Sequence, residues 1–249
     1  MTLPESFLAR PIAHRGLHDA TEGRPENSRE AALAAIEHDY GIELDVQLSS
    51  DSAAMVFHDY TLDRLTDQVG DIAAHPASAL SAIPLKGGPS GMPMLADFLD
   101  LIAGRVPLLV EIKDQDRALG PDVGPLEQAV ADALTGYTGD VAVMSFNPHA
   151  VAEMARLLPD VPRGLVTDSY RPDVWEVSPA TLDHLRGIPD YERVGACFVS
   201  HQASDLDRQR IAELKSEGAT ILCWTIRSAE AETQARRVAD NVTFEGYLA

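Results

Sequence analysis

Apolar residues along this chain fall into two patterns: short runs, and longer stretches in which they recur every three or four positions. The first pattern is that of buried strands and the second that of amphipathic helices. Strands are expected at Pro11–His14, Gly41–Val46, Ala54–Phe57, Pro107–Ile112, Asp140–Ser145, Val161–Val166, Ala196–Val199, Thr220–Thr225 and Asn241–Phe244. Helices are expected near Ser28–Asp39, Leu95–Ala103, Leu126–Thr135, Pro148–Leu157, Pro179–Leu185, Asp205–Ser216 and Ala229–Val238. Asn27, with Glu30 three residues on, reads as a helix N-cap, and Ser216-Glu217-Gly218 as a C-terminal stop. If Ala54–Phe57 extends Gly41–Val46, eight strand units alternate with helices. Alternation of this kind means a parallel sheet. Eight units in a chain of this length suit an α/β fold of the (β/α)8 TIM-barrel type better than an open doubly wound sheet.

One stretch breaks the rhythm. Between Tyr60 and Met94, Gly, Pro, Ser and Asp are scattered without a period, as in Lys86-Gly87-Gly88-Pro89-Ser90-Gly91. A lid, a binding loop or a short insertion after the second strand is expected over residues 60–94, within one domain spanning residues 1–249.

Composition narrows the function more than the fold. The 249 residues are 45% hydrophobic and 24% charged, as in ordinary globular proteins. Against 20 basic residues stand 39 acidic ones, a net charge of −19. That field repels phosphate backbones and anionic lipid, so no nucleic-acid partner and no stable membrane association are expected. A small anionic substrate stays compatible, because a few cations or a metal reverse the sign inside one pocket. Cys197 and Cys223 both sit in apolar runs and read as buried thiols, not as a disulfide framework. The first residues carry no basic, apolar leader, and no run approaches the roughly 18 apolar residues of a membrane helix. A cytoplasmic location is expected, and homo-oligomerisation is left open.

Candidate chemistry gathers at the ends of expected strands, where a barrel collects its functional groups. His14-Arg15-Gly16 closes the first strand, with Arg24-Pro25-Glu26-Asn27-Ser28 before the first helix. Glu43-Leu44-Asp45, His58-Asp59 and Glu111-Ile112-Lys113 follow. Residues two apart in a strand share a face, so Glu43 pairs with Asp45 and Glu111 with Lys113. Carboxylates crowded at a barrel mouth repel one another unless a cation sits among them. Oxygen ligands without a Cys/His cluster favour Mg²⁺ or Ca²⁺ over zinc. For a single carboxylate the competing reading is a structural ion pair, Glu111 with Lys113 or Arg15. His14 and His58 are the candidate proton-transfer pair, although a strand-end histidine taken alone is more often a packed residue. Arg15 offers a planar fork suited to phosphate, and Lys113 a second cation. Trp224-Thr225 would wall the pocket or pack in the core. His201 could line the mouth; His18, His38, His75, His149 and His184 are expected at surface or loop positions. Metal, cations and two histidines together read as phosphodiester cleavage.

These motifs resemble the glycerophosphodiester phosphodiesterase family. His14-Arg15-Gly16, Pro25-Glu26-Asn27-Ser28, Glu43-Leu44-Asp45, His58-Asp59, Glu111-Ile112-Lys113 and Trp224-Thr225-Ile226 stand in the family's order. The resemblance implies a barrel with an insertion after the second strand. It also implies cation-dependent hydrolysis of glycerophosphodiesters to glycerol 3-phosphate and an alcohol. By motif it makes His14 and His58 the acid/base pair, Glu43, Asp45 and Glu111 the metal ligands, and Arg15 and Lys113 phosphate contacts. Two places depart from the pattern. Arg227 follows Ile226 where the family often has Asn or Asp, and Thr243-Phe244-Glu245-Gly246-Tyr247 replaces an ending near Thr-Asp-x-Pro. Neither is expected to touch the metal residues or the histidines. Arg227 is expected either to recognise an acidic head group or to form a surface salt bridge. The rival readings are a lyase giving a cyclic phosphate, similar to phosphatidylinositol-specific phospholipase C or sphingomyelinase D, and a non-catalytic binding module on the same barrel.

Overall fold

The computed structural model describes residues 1–249. Nine strands follow in chain order: β1 (Ile12–Ala13), β2 (Gly41–Leu48), β3 (Ala54–Val56), β4 (Leu108–Ile112), β5 (Val141–Ser145), β6 (Arg163–Thr167), β7 (Phe198–Gln202), β8 (Thr220–Ile226) and β9 (Asn241–Phe244). All except β3 are parallel, and β1 pairs with both β2 and β9, so eight strands close into a (β/α)8 barrel. Every residue of β2 from Gly41 to Gln47 is buried, as befits a parallel strand covered on both faces.

Helices α1 (Ser6–Ala9), α2 (Arg29–Glu37), α3 (Ala77–Ser81), α4 (Leu95–Ile102), α5 (Pro125–Leu134), α6 (Pro148–Leu157), α7 (Pro179–Arg186), α8 (Gln209–Ser216) and α9 (Ala229–Ala235) complete the chain. Seven of them, α2 and α4–α9, lie between barrel strands and bury one face. In α4 that face is Leu95, Phe98, Leu99 and Ile102, the spacing of a single helical stripe. At the N-terminal end of the chain, Leu3 and Phe7 pack with Ile12, Leu109 and Phe198. There Asn241 Nδ2 donates to the carbonyls of Phe7 and Arg10, at 2.6 Å each.

Two expectations are corrected and one is narrowed. The segment Ala54–Phe57 does not extend the second strand; it turns back as β3 and pairs antiparallel with β2, Val46 opposite Val56. Because β1 holds only two residues, it leaves the far half of that edge of β2 open for β3. The 60–94 insertion is not a bare loop: Leu62, Ile72, Leu80, Leu85 and Met92 form a small core with Met55 and Phe57. Its apolar positions look aperiodic because turns, a 3₁₀ turn and the five-residue α3 carry them. Finally, Ser28 caps α2, accepting from the Ala31 amide, and Asn27 is freed for another task. No helix is long and apolar enough to cross a membrane.

Candidate active site

The strand register gathers the carboxylates. Asp45 on β2 stands opposite Glu111 on β4, and Glu43 lies two residues back on the same face. Ligand oxygens of Glu43, Asp45 and Glu111 all fall within 4.8 Å of one another, and all three side chains are buried. Asp45 is the best supported: Lys113 Nζ lies 2.7 Å from Oδ1, Arg15 Nε 3.2 Å from Oδ2, and Asn27 Nδ2 donates to Oδ2 at 2.9 Å. Lys113 also reaches Glu111 at 2.5 Å. Glu43 accepts from the Arg15 amide at 3.0 Å, but its Oε1 is buried without a partner. Burial, and then the charges of Asp45 and Glu111, push the Glu43 carboxyl well above its usual range. Asp45 goes the other way: despite burial, Lys113, His58 and Arg15 hold it far below.

Three carboxylates therefore face Lys113 and Arg15, and Arg15 is shared with Glu26 at 2.7 Å. A buried oxygen without a donor, in an all-oxygen cluster with too little positive charge, fits a divalent cation. The backbone at Arg15 serves this cluster. Arg15 has φ 56°, a conformation costing a side-chain-bearing residue about 1–2 kcal/mol. Gly16 follows at φ 77°, packed so closely that an added Cβ would meet Ala31 at 2.9 Å.

The two histidines flank the cluster. His14 follows β1, its Nε2 3.9 Å from Glu43. Its Nδ1 lies 2.5 Å from Glu245 Oε2. Burial depresses the His14 pKa, outweighing that hydrogen bond. His58 follows β3, its Nδ1 2.7 Å from Asp59 Oδ1. Arg64 Nε donates to the other Asp59 oxygen at 2.6 Å and reaches Glu26 at 2.7 and 2.8 Å, which links it to Arg15.

His14, Arg15, Glu43, His58, Glu111, Lys113 and Trp224 line one cavity of about 170 Å³, with Asp45 beside them. A larger chamber of about 530 Å³ shares His58, Glu111, Lys113 and Trp224, and adds Tyr60, Arg117 and Trp175. Trp224 is half-buried, its indole N–H on the Ser200 carbonyl at 3.1 Å and its ring edge-on to Phe146 at 5.6 Å. It lines both cavities and also packs against the apolar cluster that holds Leu3, Phe7 and Ile12.

The expectation that the two departures leave the histidines alone is overturned. Glu245 holds His14, and Arg227, which also lines the cavity described above, pairs with Glu245 at 2.7 Å. His18 is no loop bystander either: its Nε2 lies 3.5 Å from Glu245. His201 does not line the mouth; it is fully buried, bonded to Thr167 at 2.7 Å and facing Asp205 at 3.2 Å. Cys197 and Cys223 are buried thiols, and burial pushes Cys223 up to about 12. Sequence reasoning missed the roles of Glu245, Arg64 and Asn27 in the site. For Glu245 the available signal was the broken motif at the last strand's end.

Comparisons with known proteins point to one family. A model of the glycerophosphoryl diester phosphodiesterase family matches residues 14–243. YhdW of Bacillus subtilis strain 168 is 28% identical over 243 residues, 93% of each chain. A glycerophosphodiester phosphodiesterase of Caldanaerobacter subterraneus is 28% identical over 177 residues, 67% of this chain and 70% of that one. Among solved structures, an Oleispira antarctica phosphodiesterase in complex with the product sn-glycerol-3-phosphate superposes with a TM-score of 0.78 at 22% identity. That match covers 96% of this chain and 94% of the other.

Proposed function

Because this chain belongs to the glycerophosphoryl diester phosphodiesterase family, we propose that it hydrolyses glycerophosphodiesters to glycerol 3-phosphate and an alcohol, with His14 and His58 as the proton-transfer pair. The observation that carries this reading is the paired arrangement of the histidines. Each has Nδ1 tied to a carboxylate, which leaves Nε2 to serve a reacting oxygen in the shared cavity.

In the reaction, an oxygen attacks phosphorus as the bond to the leaving alkoxide breaks. One histidine takes the proton of the attacking oxygen: water, which gives glycerol 3-phosphate directly, or the substrate's adjacent glycerol hydroxyl, whose cyclic phosphate a water must then open to give the same product. The other gives its proton to the departing alkoxide. Arg15 and Lys113 hold the phosphate and oppose the charge that builds on its oxygens. Trp224 forms the apolar side of the cavity. Glu43, Asp45 and Glu111 would hold a divalent cation, Mg²⁺ or Ca²⁺, which supplies Lewis-acid polarisation of the phosphate. The product seen with the Oleispira antarctica phosphodiesterase supports the substrate class. The net charge of −19 favours a free diester in the cytoplasm over one in an anionic membrane. We take residues 1–249 to work as one domain, with the 60–94 insertion as its appendage.

The test is glycerol 3-phosphate release from glycerophosphoethanolamine by metal-stripped protein, before and after Mg²⁺ or Ca²⁺. Release only with the ion, lost in His14→Ala, supports the reading. A persisting cyclic phosphate would replace it with a lyase. Failure across a panel of diesters would leave a binding module.

A further inference from the structure

We propose that Glu245, braced by Arg227, is the positioning residue of His14, doing for that imidazole what Asp59 and Arg64 do for His58. The proposal rests on the reading of His14 as a proton-transfer group.

Strand register brings the three residues together. Ala13 on β1 and Ile226 on β8 both stand opposite Phe244 on β9. The next residue on each strand is His14, Arg227 or Glu245, so these three leave the barrel side by side at one level. The backbone ties are direct: His14 N–H donates to the Phe244 carbonyl at 2.9 Å, and Glu245 N–H to the Ile226 carbonyl at 2.9 Å.

Within this group the two Glu245 oxygens are divided. Oε2 meets His14 Nδ1 at 2.5 Å, while Oε1 accepts from Arg227 at 2.7 and 2.8 Å. Asp59 likewise serves an imidazole and an arginine: Oδ1 meets His58 Nδ1, while Arg64 donates to Oδ2 at 2.6 Å and, from its second nitrogen, to Oδ1 at 2.9 Å. An ionised carboxylate accepts and cannot donate, so each imidazole must keep its proton on Nδ1 and expose Nε2. The hydrogen bond from His14, with His18 nearby at 3.5 Å, holds Glu245 far below the ordinary carboxylate range, so it stays ionised wherever His14 is needed. The Arg227 guanidinium braces this carboxylate through Nε and Nη2 from the lining of the same cavity. The two departures from the resembled motif are thus one device.

The experiment compares kcat and KM for glycerophosphoethanolamine in Glu245→Ala, Glu245→Gln and Arg227→Ala, with melting temperature followed throughout. Glu245→Ala should lower kcat by about 10- to 100-fold with KM held within about twofold, in a protein that stays folded at the assay temperature although its melting temperature drops by the few degrees the lost carboxylate contributed. Glu245→Gln keeps an acceptor oxygen and should fall between Glu245→Ala and the wild type. Arg227→Ala should cost a few-fold alone and nothing further in the Glu245→Ala background. Unchanged kcat in Glu245→Ala, a loss matched by a rise in KM, or a loss accounted for by unfolding at the assay temperature would overturn the proposal. If His14→Ala is as active as the wild type, the underlying reading has failed instead. The hydrogen bond can be read without turnover, as a downfield imidazole N–H resonance lost in both His14→Ala and Glu245→Ala. Absence of that resonance from the wild type would also overturn the proposal.

Discussion

His14 and His58 are held by the same three-part device, made from very different amounts of chain. His58, Asp59 and Arg64 span one short segment, whereas His14 draws Glu245 from 231 residues away. The local unit forms where the chain leaves β3, but the distant one exists only when β1 meets β9 and β8. Their settings also differ. Arg64 is built into a network through Glu26 to Arg15, while Arg227 serves Glu245 alone and is 67% exposed. Equivalent geometry thus arises from contact order at two extremes, and the two units should respond differently to damage.

The strongest break is to remove either imidazole. His14→Ala and His58→Ala should each lower kcat by about 10²- to 10⁴-fold, measured as glycerol 3-phosphate release. A near-normal rate in one of them would end the equivalence and leave the other as the sole essential base or acid.

Next comes the ground that the two units share. Adding Mg²⁺ or Ca²⁺ to stripped protein should relieve the buried carboxylates. An ion at about 100 times its Kd stabilises by about 2.7 kcal/mol, a rise of roughly 5–10 °C in melting temperature for a chain of this size. Glu43→Gln should shrink that rise, and a rise unaffected by it would place the ion elsewhere.

Acid should sharpen the comparison. Despite burial, hydrogen bonds from His58 and Arg64 hold Asp59 below the usual carboxylate range, and the His14 hydrogen bond, with His18 nearby, does the same for Glu245. A depressed folded pKa means that the folded protein binds fewer protons than the unfolded chain in that window. The stabilisation is then complete above the ordinary carboxylate pKa of about 4 and is lost as pH falls toward the folded values. Asp59→Asn and Glu245→Gln should each flatten the acid limb of a melting-temperature profile. An unchanged limb in either would show that its unit is not closed in solution.

The smallest effects belong to the arginines. Exposed pairs are worth about 0.2–1 kcal/mol, so Arg227→Ala should cost no more than about fivefold in kcat. Arg64→Ala should cost more, because it releases both Asp59 and Glu26. The reverse order would make Arg227 the more important brace.

What could be read in the sequence follows the same division. Glu43 and Asp45, or Glu111 and Lys113, sit two apart on one strand, and that spacing alone places both members on a common face. Their meeting across β2 and β4 followed once a parallel barrel was assumed. Asn27 misled, because Asn before an apolar helical stretch fits a cap, yet Ser28 beside it fits too. Only the close approach of Asp45 decides which one caps. Likewise the apolar residues of the insertion obey no single period, so their common core was hidden. The role of Glu245 was out of reach for a stronger reason: register between the first and last strands depends on closure, which no local pattern records.

That closure has a consequence for how the protein is made. A ribosome delivers His14 near the start of synthesis, and its carboxylate more than two hundred residues later. A nascent barrel can present its acidic cluster, Arg15 and a fully braced His58 while His14 is still unrestrained. On the proposed role of Glu245, a chain interrupted short of residue 245 would lack both the strand that closes onto β1 and the carboxylate that orients His14.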